Sequence, residues 1–108
     1  MKIWWQSSTA IHRLDDYRNT LTKNLNDLKR SDVEVHVNGV DDGSMDLHYN
    51  AVVAINSYGV GGVLNKMMQA QDQGYDAIAI GCFLDPAMQE ARELLSIPVF
   101  GLGETSML

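Results

Sequence analysis

The order of apolar and polar residues along the chain predicts strands that alternate with helices. A short apolar run at residues 3–5 predicts a first strand. Apolar residues at spacings of three and four then predict an amphipathic helix. They are Leu14, Tyr17, Leu21, Leu25 and Leu28. Residues 33–37 alternate valine with polar residues, which predicts a second strand with one wetter face, at an edge of a sheet.

The middle of the chain is less regular and then becomes strongly apolar. Apolar positions over residues 60–68 predict a helix that ends at Gly74, a residue type suited to a helix C-terminus. Residues 51–55 fit a strand or a helix, and we favour the helix. Residues 77–80 are all apolar, which is typical of a central parallel strand covered on both faces.

The last quarter repeats the pattern once more. Asp85 and Pro86 predict the N-cap and first residue of a helix. Its buried positions would be Ala87, Met88, Ala91, Leu94 and Leu95. Residues 98–100 predict a further short buried strand, and residues 101–106 predict a turn into one more helix.

This order predicts an α/β fold of three layers, a four-stranded parallel sheet with helices on both faces in a flavodoxin-like arrangement. A chain of 108 residues fits one domain. The sequence ends at Leu108, barely one turn into the last predicted helix. We therefore expect residues 1–108 to form a single lobe of a longer protein.

Composition and charge narrow the classes of function. The chain is 45% hydrophobic and 20% charged, which is ordinary for a globular domain. A net charge of -6 disfavours binding to nucleic acid. The N-terminus turns polar too early for a signal peptide, and no apolar run approaches the roughly 20 residues of a membrane helix. One cysteine and three histidines show no metal-ligand spacing. We expect a cytoplasmic protein with a small-molecule substrate and without a metal, a cofactor, a nucleic-acid partner or a membrane partner.

Four polar or glycine-rich segments follow the predicted strands. Ligands of parallel α/β sheets bind outside the carboxyl ends of the strands, so these segments predict the site. They are Gln6, Ser7, Ser8 and Thr9; residues 40–44; Gly81, Cys82 and Phe83; and Gly103, Glu104 and Thr105.

Cys82 is the only thiol, and it lies between a buried strand and a predicted helix start, where the helix dipole favours a thiolate. The alternative is a small buried hydrophobic residue without reactivity. Asp85 would oppose a thiolate if its charge faced the sulfur, unless capping occupies its carboxylate.

Two motifs together resemble a known family. Residues 81–86 read Gly-Cys-Phe-Leu-Asp-Pro, and residues 101–104 read Gly-Leu-Gly-Glu one strand later. The chain resembles the first half of the aspartate/glutamate/hydantoin racemase superfamily, and within it the hydantoin and allantoin racemase-like branch.

The resemblance implies a cofactor-independent racemase with two facing lobes and one catalytic cysteine from each. It implies that Cys82 is the acid/base of the first lobe, and that Gln6–Thr9, Gly81, Phe83 and Gly103–Thr105 help to hold the substrate. Amino-acid racemases of the superfamily follow the cysteine with Asn-Thr, whereas Phe83 and Leu84 follow it here. An apolar neighbour better suits a neutral cyclic imide or ureide. A chain with one thiol then needs either a missing second lobe or a homo-oligomer in which two Cys82 side chains face each other.

Two other functions compete with the racemase. Residues 58–62, Tyr-Gly-Val-Gly-Gly, could form a phosphate-binding loop of a nucleotide-binding module, although they match neither the P-loop nor the dinucleotide motif. The chain could also be a catalytically silent lobe in which Cys82 only packs.

Overall fold

The structure is a computed structural model, and it describes residues 1–41 and 60–107. The strands are β1 (Lys2–Gln6), β2 (Glu34–Asn38), β3 (Ala77–Ile80) and β4 (Val99–Gly101). The helices are α1 (Asp15–Leu28), α2 (Val60–Asp72), α3 (Met88–Leu94) and α4 (Leu102–Ser106), with a 3-10 helix at Ile11–Arg13. None of these described helices is long and apolar enough to cross a membrane. The helix predicted at residues 51–55 lies outside the described residues.

The four strands form one parallel sheet in the order β2-β1-β3-β4. The predicted α/β fold with a four-stranded parallel sheet is therefore confirmed. β2 lies at an edge and β3 lies inside the sheet, as the polar and apolar patterns of the two strands predict. Parallel strands joined by helices require crossover connections, which are right-handed in nearly all proteins.

One face of the sheet carries the core. Trp4 of β1, Ile78 and Ile80 of β3, and Val99 of β4 are buried on this face. They pack against α2, α3 and neighbouring segments through Val40, Val63, Met67, Ala70, Ala87 and Ala91. Burying a side chain as large as isoleucine contributes about 1.5–3 kcal/mol. These helices therefore tie β1, β3 and β4 into one unit.

The opposite face is covered less completely. In the sheet order, the connection from β1 to β2 and the connection from β2 to β3 run in opposite directions. Right-handed crossovers then place the helices of these two connections on opposite faces, so α1 lies on this face. There it contacts β2. Phe100 of β4 is 50% exposed. The prediction of a buried strand at residues 98–100 is therefore partly wrong: the strand is β4 (Val99–Gly101), and of the three predicted residues only Val99 is buried. The physical reason is that β4 is an edge strand, and the helices of the core pack on the face of Val99, opposite Phe100.

The amphipathic stripe predicts the extent of α1 correctly, but α1 contains no buried residue. Leu21 and Leu25 are half-buried, whereas Tyr17 is 49% and Leu28 is 84% exposed. Helical periodicity fixes which side chains share a face, but only the neighbouring elements decide how much of that face is covered.

The end of α2 confirms the role predicted for Gly74. Gly74 has φ +81°, its N–H donates to the Gln71 carbonyl, and the Tyr75 N–H donates to the Ala70 carbonyl. This pair of bonds is the Schellman arrangement, which needs a residue that adopts positive φ easily.

The start predicted for α3 is wrong. α3 begins at Met88, and its N-cap residue is Ala87 with φ 61° in the left-handed region. Asp85 and Pro86 lie in the preceding loop, because the Asp85 side chain bonds to another element. Leu94 is 57% exposed, which also corrects its assignment as a buried position.

Candidate functional site

The carboxyl ends of all four strands lie at one level. Gln6 pairs with Asn38 on one side and with Ile80 on the other, and Ile80 pairs with Gly101. The chain continues in register beyond this level, since the Gly81 N–H donates to the Gln6 carbonyl at 2.8 Å. Residues that follow the strands therefore share the edge of the sheet at which ligands of this fold class bind.

Cys82 lies at this edge, two residues beyond the end of β3. It is a free cysteine of intermediate exposure, so it is neither sealed in the core nor fully open to solvent. Its carbonyl accepts a hydrogen bond from the Asp85 N–H at 3.0 Å, which closes a turn. The structure corrects the argument from the helix dipole: α3 starts six residues after Cys82, whereas the dipole acts only within the first turn of a helix.

The Asp85 carboxylate joins the Cys82 loop to the turn after β4. Its Oδ1 accepts the Gly103 N–H at 2.8 Å, and its Oδ2 accepts the Glu104 N–H at 2.7 Å. These N–H groups start α4 and have no partner within that helix. Asp85 itself has φ 47°. Of the two alternatives for Asp85, the structure thus shows the one in which helix capping occupies the carboxylate. The capped helix is α4, whereas the sequence predicted capping of α3.

Two glycines make this close approach possible. A Cβ on Gly101 would overlap the Asp85 carboxylate, and a Cβ on Gly103 would overlap the Phe83 carbonyl oxygen. The two motifs that carry the resemblance are thus in contact, because each glycine leaves space for the loop that contains Cys82.

The turn after β4 is held from its other side by Arg92 of α3. The guanidinium donates two hydrogen bonds to the Val99 carbonyl, at 3.1 and 2.9 Å, and pairs with Glu104 at 3.0 Å. The Thr105 hydroxyl donates to the Gly101 carbonyl at 2.6 Å. Sequence reasoning missed Arg92, because a single arginine on a helix carries no local signal of a partner seven residues away.

The segment after β1 is also bonded internally. Gln6 is fully buried, accepts a hydrogen bond from Trp4 Nε1 at 2.8 Å and donates to the Ser7 carbonyl at 2.8 Å. The hydroxyls of Ser7 and Thr9 lie 3.0 Å apart. Ser8 is half-buried. The hydrogen bonds of Gln6 thus fix the start of the segment. Of its four polar side chains, Ser8 alone makes no hydrogen bond to another described residue.

Trp5 packs beside the Cys82 loop. A Cβ on Gly81 would overlap the Trp5 indole, so the glycine allows the ring to lie against the end of β3. Trp5 Nε1 is buried and has no hydrogen-bond partner among the residues that the structure describes. The neighbouring Trp4 is 4% exposed, and its indole N–H donates to Gln6.

The other candidate sites gain no support from the described residues. Gly61 and Gly62 of the proposed phosphate loop lie within α2, whereas Tyr58 and Gly59 fall outside the described residues. Residues 42–44 of the polar segment after β2 also fall outside them. Within the described residues, no group of three or more His, Cys, Asp and Glu side chains could hold a metal ion.

Comparison with known proteins agrees with this arrangement. The model of the Asp/Glu/hydantoin racemase family matches residues 20–108. The chain belongs to this family. The match includes Cys82 and Asp85 together with the glycine turn that Asp85 contacts.

The relatives of this racemase-family chain lie in the hydantoin and allantoin branch. A hydantoin racemase of Pseudomonas sp. (strain NS671) is 31% identical over 64 residues, 59% of this chain and 24% of the relative. A hydantoin racemase of Rhizobium meliloti is 40% identical over 48 residues, 44% of this chain and 20% of the relative.

A solved structure supports the fold. The allantoin racemase from Klebsiella pneumoniae superposes with a TM-score of 0.75 at 24% identity, over 99% of this chain and 41% of that one. The chain therefore spans less than half of the solved relative, and its alignments cover a quarter or less of the two curated ones.

Proposed function

We propose that this chain supplies one side of a racemase active site for a hydantoin-like cyclic carbon acid, with Cys82 as the acid/base. The observation that carries the proposal is the place of Cys82: a half-buried thiol at the ligand-binding edge of the sheet, in a loop that two family motifs hold together. Membership of a racemase family supports the type of reaction.

The reaction exchanges a proton on carbon. The Cys82 thiolate removes the proton from C5 of the ring, and the electron pair of the broken C–H bond moves into an enolate on the adjacent carbonyl. A proton returned to the opposite face of C5 inverts the carbon. The carbonyl already acidifies this C–H bond, so the proposal includes no metal and no organic cofactor.

Inversion needs a second acid on the opposite face. The chain has one cysteine, so the second group comes from a further lobe or from a second copy of the chain. This requirement also separates two events: a single thiol can exchange the C5 proton with solvent on one face, but it cannot invert the carbon.

The surroundings of Cys82 support a neutral ring as substrate. Phe83 follows the thiol directly and is 68% exposed, and Leu84 is 44% exposed. These side chains offer apolar surface to a ring, whereas the dicarboxylic amino acids require charged or polar partners. Hydantoins and allantoin, the compounds in the names of the relatives, are neutral cyclic ureides.

The test measures proton exchange and inversion separately. The protein with its full native chain is incubated in deuterium oxide with a 5-monosubstituted hydantoin, and with allantoin. Proton NMR follows the C5–H signal, polarimetry follows inversion, and a blank without protein corrects for spontaneous exchange. We expect both to exceed the blank. Cys82→Ser should reduce inversion, and exchange of the enantiomer whose C5–H faces Cys82, at least about 100-fold.

Two results would reject the proposal. Full inversion by Cys82→Ser, with full exchange of both enantiomers, would remove the thiol from the mechanism. No exchange above the blank with either compound would exclude the substrate class and favour a catalytically silent lobe.

A further inference from the structure

The side-chain hydrogen bonds between the Cys82 loop and the turn after β4 all come from one residue. Both oxygens of the Asp85 carboxylate accept backbone N–H groups, from Gly103 and Glu104, and the Asp85 N–H donates to the Cys82 carbonyl. A continuous path of hydrogen bonds therefore runs from the start of α4 to the backbone of Cys82. No other described side-chain hydrogen bond joins this loop to the turn.

The backbone of the loop does not hold this shape by itself. Asp85 has φ 47° and Ala87 has φ 61°, a region that costs free energy for residues other than glycine. Such a conformation persists only where tertiary contacts impose it. The two hydrogen bonds to the carboxylate help to impose it at Asp85, together with the burial of Pro86 and Ala87.

The receiving turn is rigid for separate reasons. Arg92 bonds to the Val99 carbonyl and pairs with Glu104, and Thr105 bonds to the Gly101 carbonyl. Asp85 therefore anchors the loop to a fixed support.

We propose that Asp85 is a positioning residue for the reaction: its carboxylate, bound to the N–H groups of Gly103 and Glu104, fixes the turn that sets the place of the Cys82 thiol. The proposal rests on the proposed function of Cys82. A misplacement of about 1 Å can cost on the order of 10²-fold in rate, so loss of this anchor should act on turnover more than on binding.

The control residue is Asp76, at the opposite end of the sheet. Its Oδ2 accepts the Lys2 N–H at 2.7 Å, so it makes the same kind of bond far from Cys82. Asp76→Ala removes a carboxylate that bonds to a backbone N–H, as Asp85→Ala does, but leaves the Cys82 loop untouched.

The first measurement needs no enzymatic activity. Cys82 is the only thiol of these 108 residues, and mass spectrometry of the peptide that contains it, after iodoacetamide labelling of the folded protein, reports this residue alone. The rate is read at the alkaline plateau, where the thiol is ionised and only access and orientation matter. We expect Asp85→Ala to raise the plateau rate of labelling about tenfold. Asp85→Asn should give a rate between those of the wild type and Asp85→Ala, because its amide oxygen keeps one acceptor. Asp76→Ala should stay within about twofold of the wild type.

The second measurement is turnover of the protein with its full native chain. We expect Asp85→Ala to lower kcat for inversion at C5 by on the order of 10- to 100-fold with little change in KM, and Asp85→Asn to keep part of the activity. Faster labelling with slower turnover is the signature of a displaced thiol. Thermal melting of each variant identifies the temperature at which all of them are folded.

The outcomes are distinct. A plateau rate that is unchanged in folded Asp85→Ala and Asp85→Asn would reduce Asp85 to a structural cap and overturn the inference. If Asp85→Ala does not fold, Asp85→Asn decides alone. Failure of the proposed function gives a different result, because full inversion by Cys82→Ser would leave the labelling result of the Asp85 variants as it stands.

Discussion

The indole of Trp5 occupies the space in which Gly81 would carry a Cβ. Trp5 belongs to β1 and Gly81 follows β3, so the contact crosses two neighbouring strands just before Cys82. A contact this close makes both residues sensitive to substitution.

Gly81→Ala should therefore destabilise the chain. The added methyl group forces the ring away, and overpacking of this kind costs about 1–3 kcal/mol. Urea denaturation followed by tryptophan fluorescence measures the loss. In a Trp5→Leu background the same substitution should cost at least about 1 kcal/mol less, since the ring is gone.

Gly62→Ala is the control for this cycle. Within the described part of the chain, its Cβ would meet only Val40 Cγ1, at 3.9 Å, which is ordinary van der Waals contact. If Gly81→Ala lowered the free energy of unfolding equally in the wild-type and Trp5→Leu backgrounds, the contact with Trp5 would not be the reason that this position requires glycine.

Gly103→Ala should lower the melting temperature, because a Cβ there would overlap the Phe83 carbonyl oxygen. A cost of about 1–3 kcal/mol corresponds to a decrease of roughly 4–20 °C for a domain near this size. Differential scanning calorimetry measures it. Gly61→Ala, with no atom of the described residues within 4 Å of its Cβ, should melt at the wild-type temperature or slightly above it. Equal melting temperatures for the two variants would contradict the close packing of the two motifs.

Gln6→Leu should destabilise the fold by on the order of 2–4 kcal/mol. The substitution leaves the Trp4 indole N–H and the Ser7 carbonyl buried without their partner, and each such group costs about 1–3 kcal/mol. Chemical denaturation measures the change, and Gln69→Leu, at an exposed position of α2, is the control. Trp4→Phe combined with Gln6→Leu should cost less than the sum of the two. A variant with wild-type stability and a raised KM would instead assign Gln6 to the substrate.

The environment of Tyr75 should make the fold less stable in alkaline solution. Burial raises the pKa of Tyr75 above its ordinary value of 10.0, and the charge of Glu34 raises it further. The folded chain therefore holds the phenolic proton more tightly than the unfolded chain does. The contribution is fully present below about pH 10 and is lost as the pH rises through the folded pKa.

Melting temperatures between about pH 9 and 12 test this dependence. Tyr75→Phe should show a smaller alkaline decrease than the wild type, although it also loses the 2.6 Å hydrogen bond with His36 Nδ1 at every pH. Tyr17→Phe, at an exposed position of α1, should keep the wild-type decrease. Parallel curves for the wild type and Tyr75→Phe would exclude a contribution from this phenol.

Part of the site could be predicted from the sequence. The apolar run at residues 77–80 indicated a central strand, and the topology rule then placed Cys82 at the ligand-binding edge. The hydrogen bonds of Asp85 could not be predicted. An aspartate before a proline and a helical stripe is expected to accept the first backbone N–H groups of the helix that follows it. The tertiary structure offers it two N–H groups 18 and 19 residues away instead. The same holds for Arg92, whose partners belong to β4 and α4.

The sequence by itself determined the succession of strands and helices, their parallel order and the loop that contains the thiol, because these follow from periodicities of two and 3.6 residues and from chain connectivity. Only the tertiary structure decided which faces are covered, as the exposed Phe100 and Leu94 show, and which N–H groups the Asp85 carboxylate binds. Burial and hydrogen-bond partners depend on residues distant in the chain, and a local pattern contains no record of those distances.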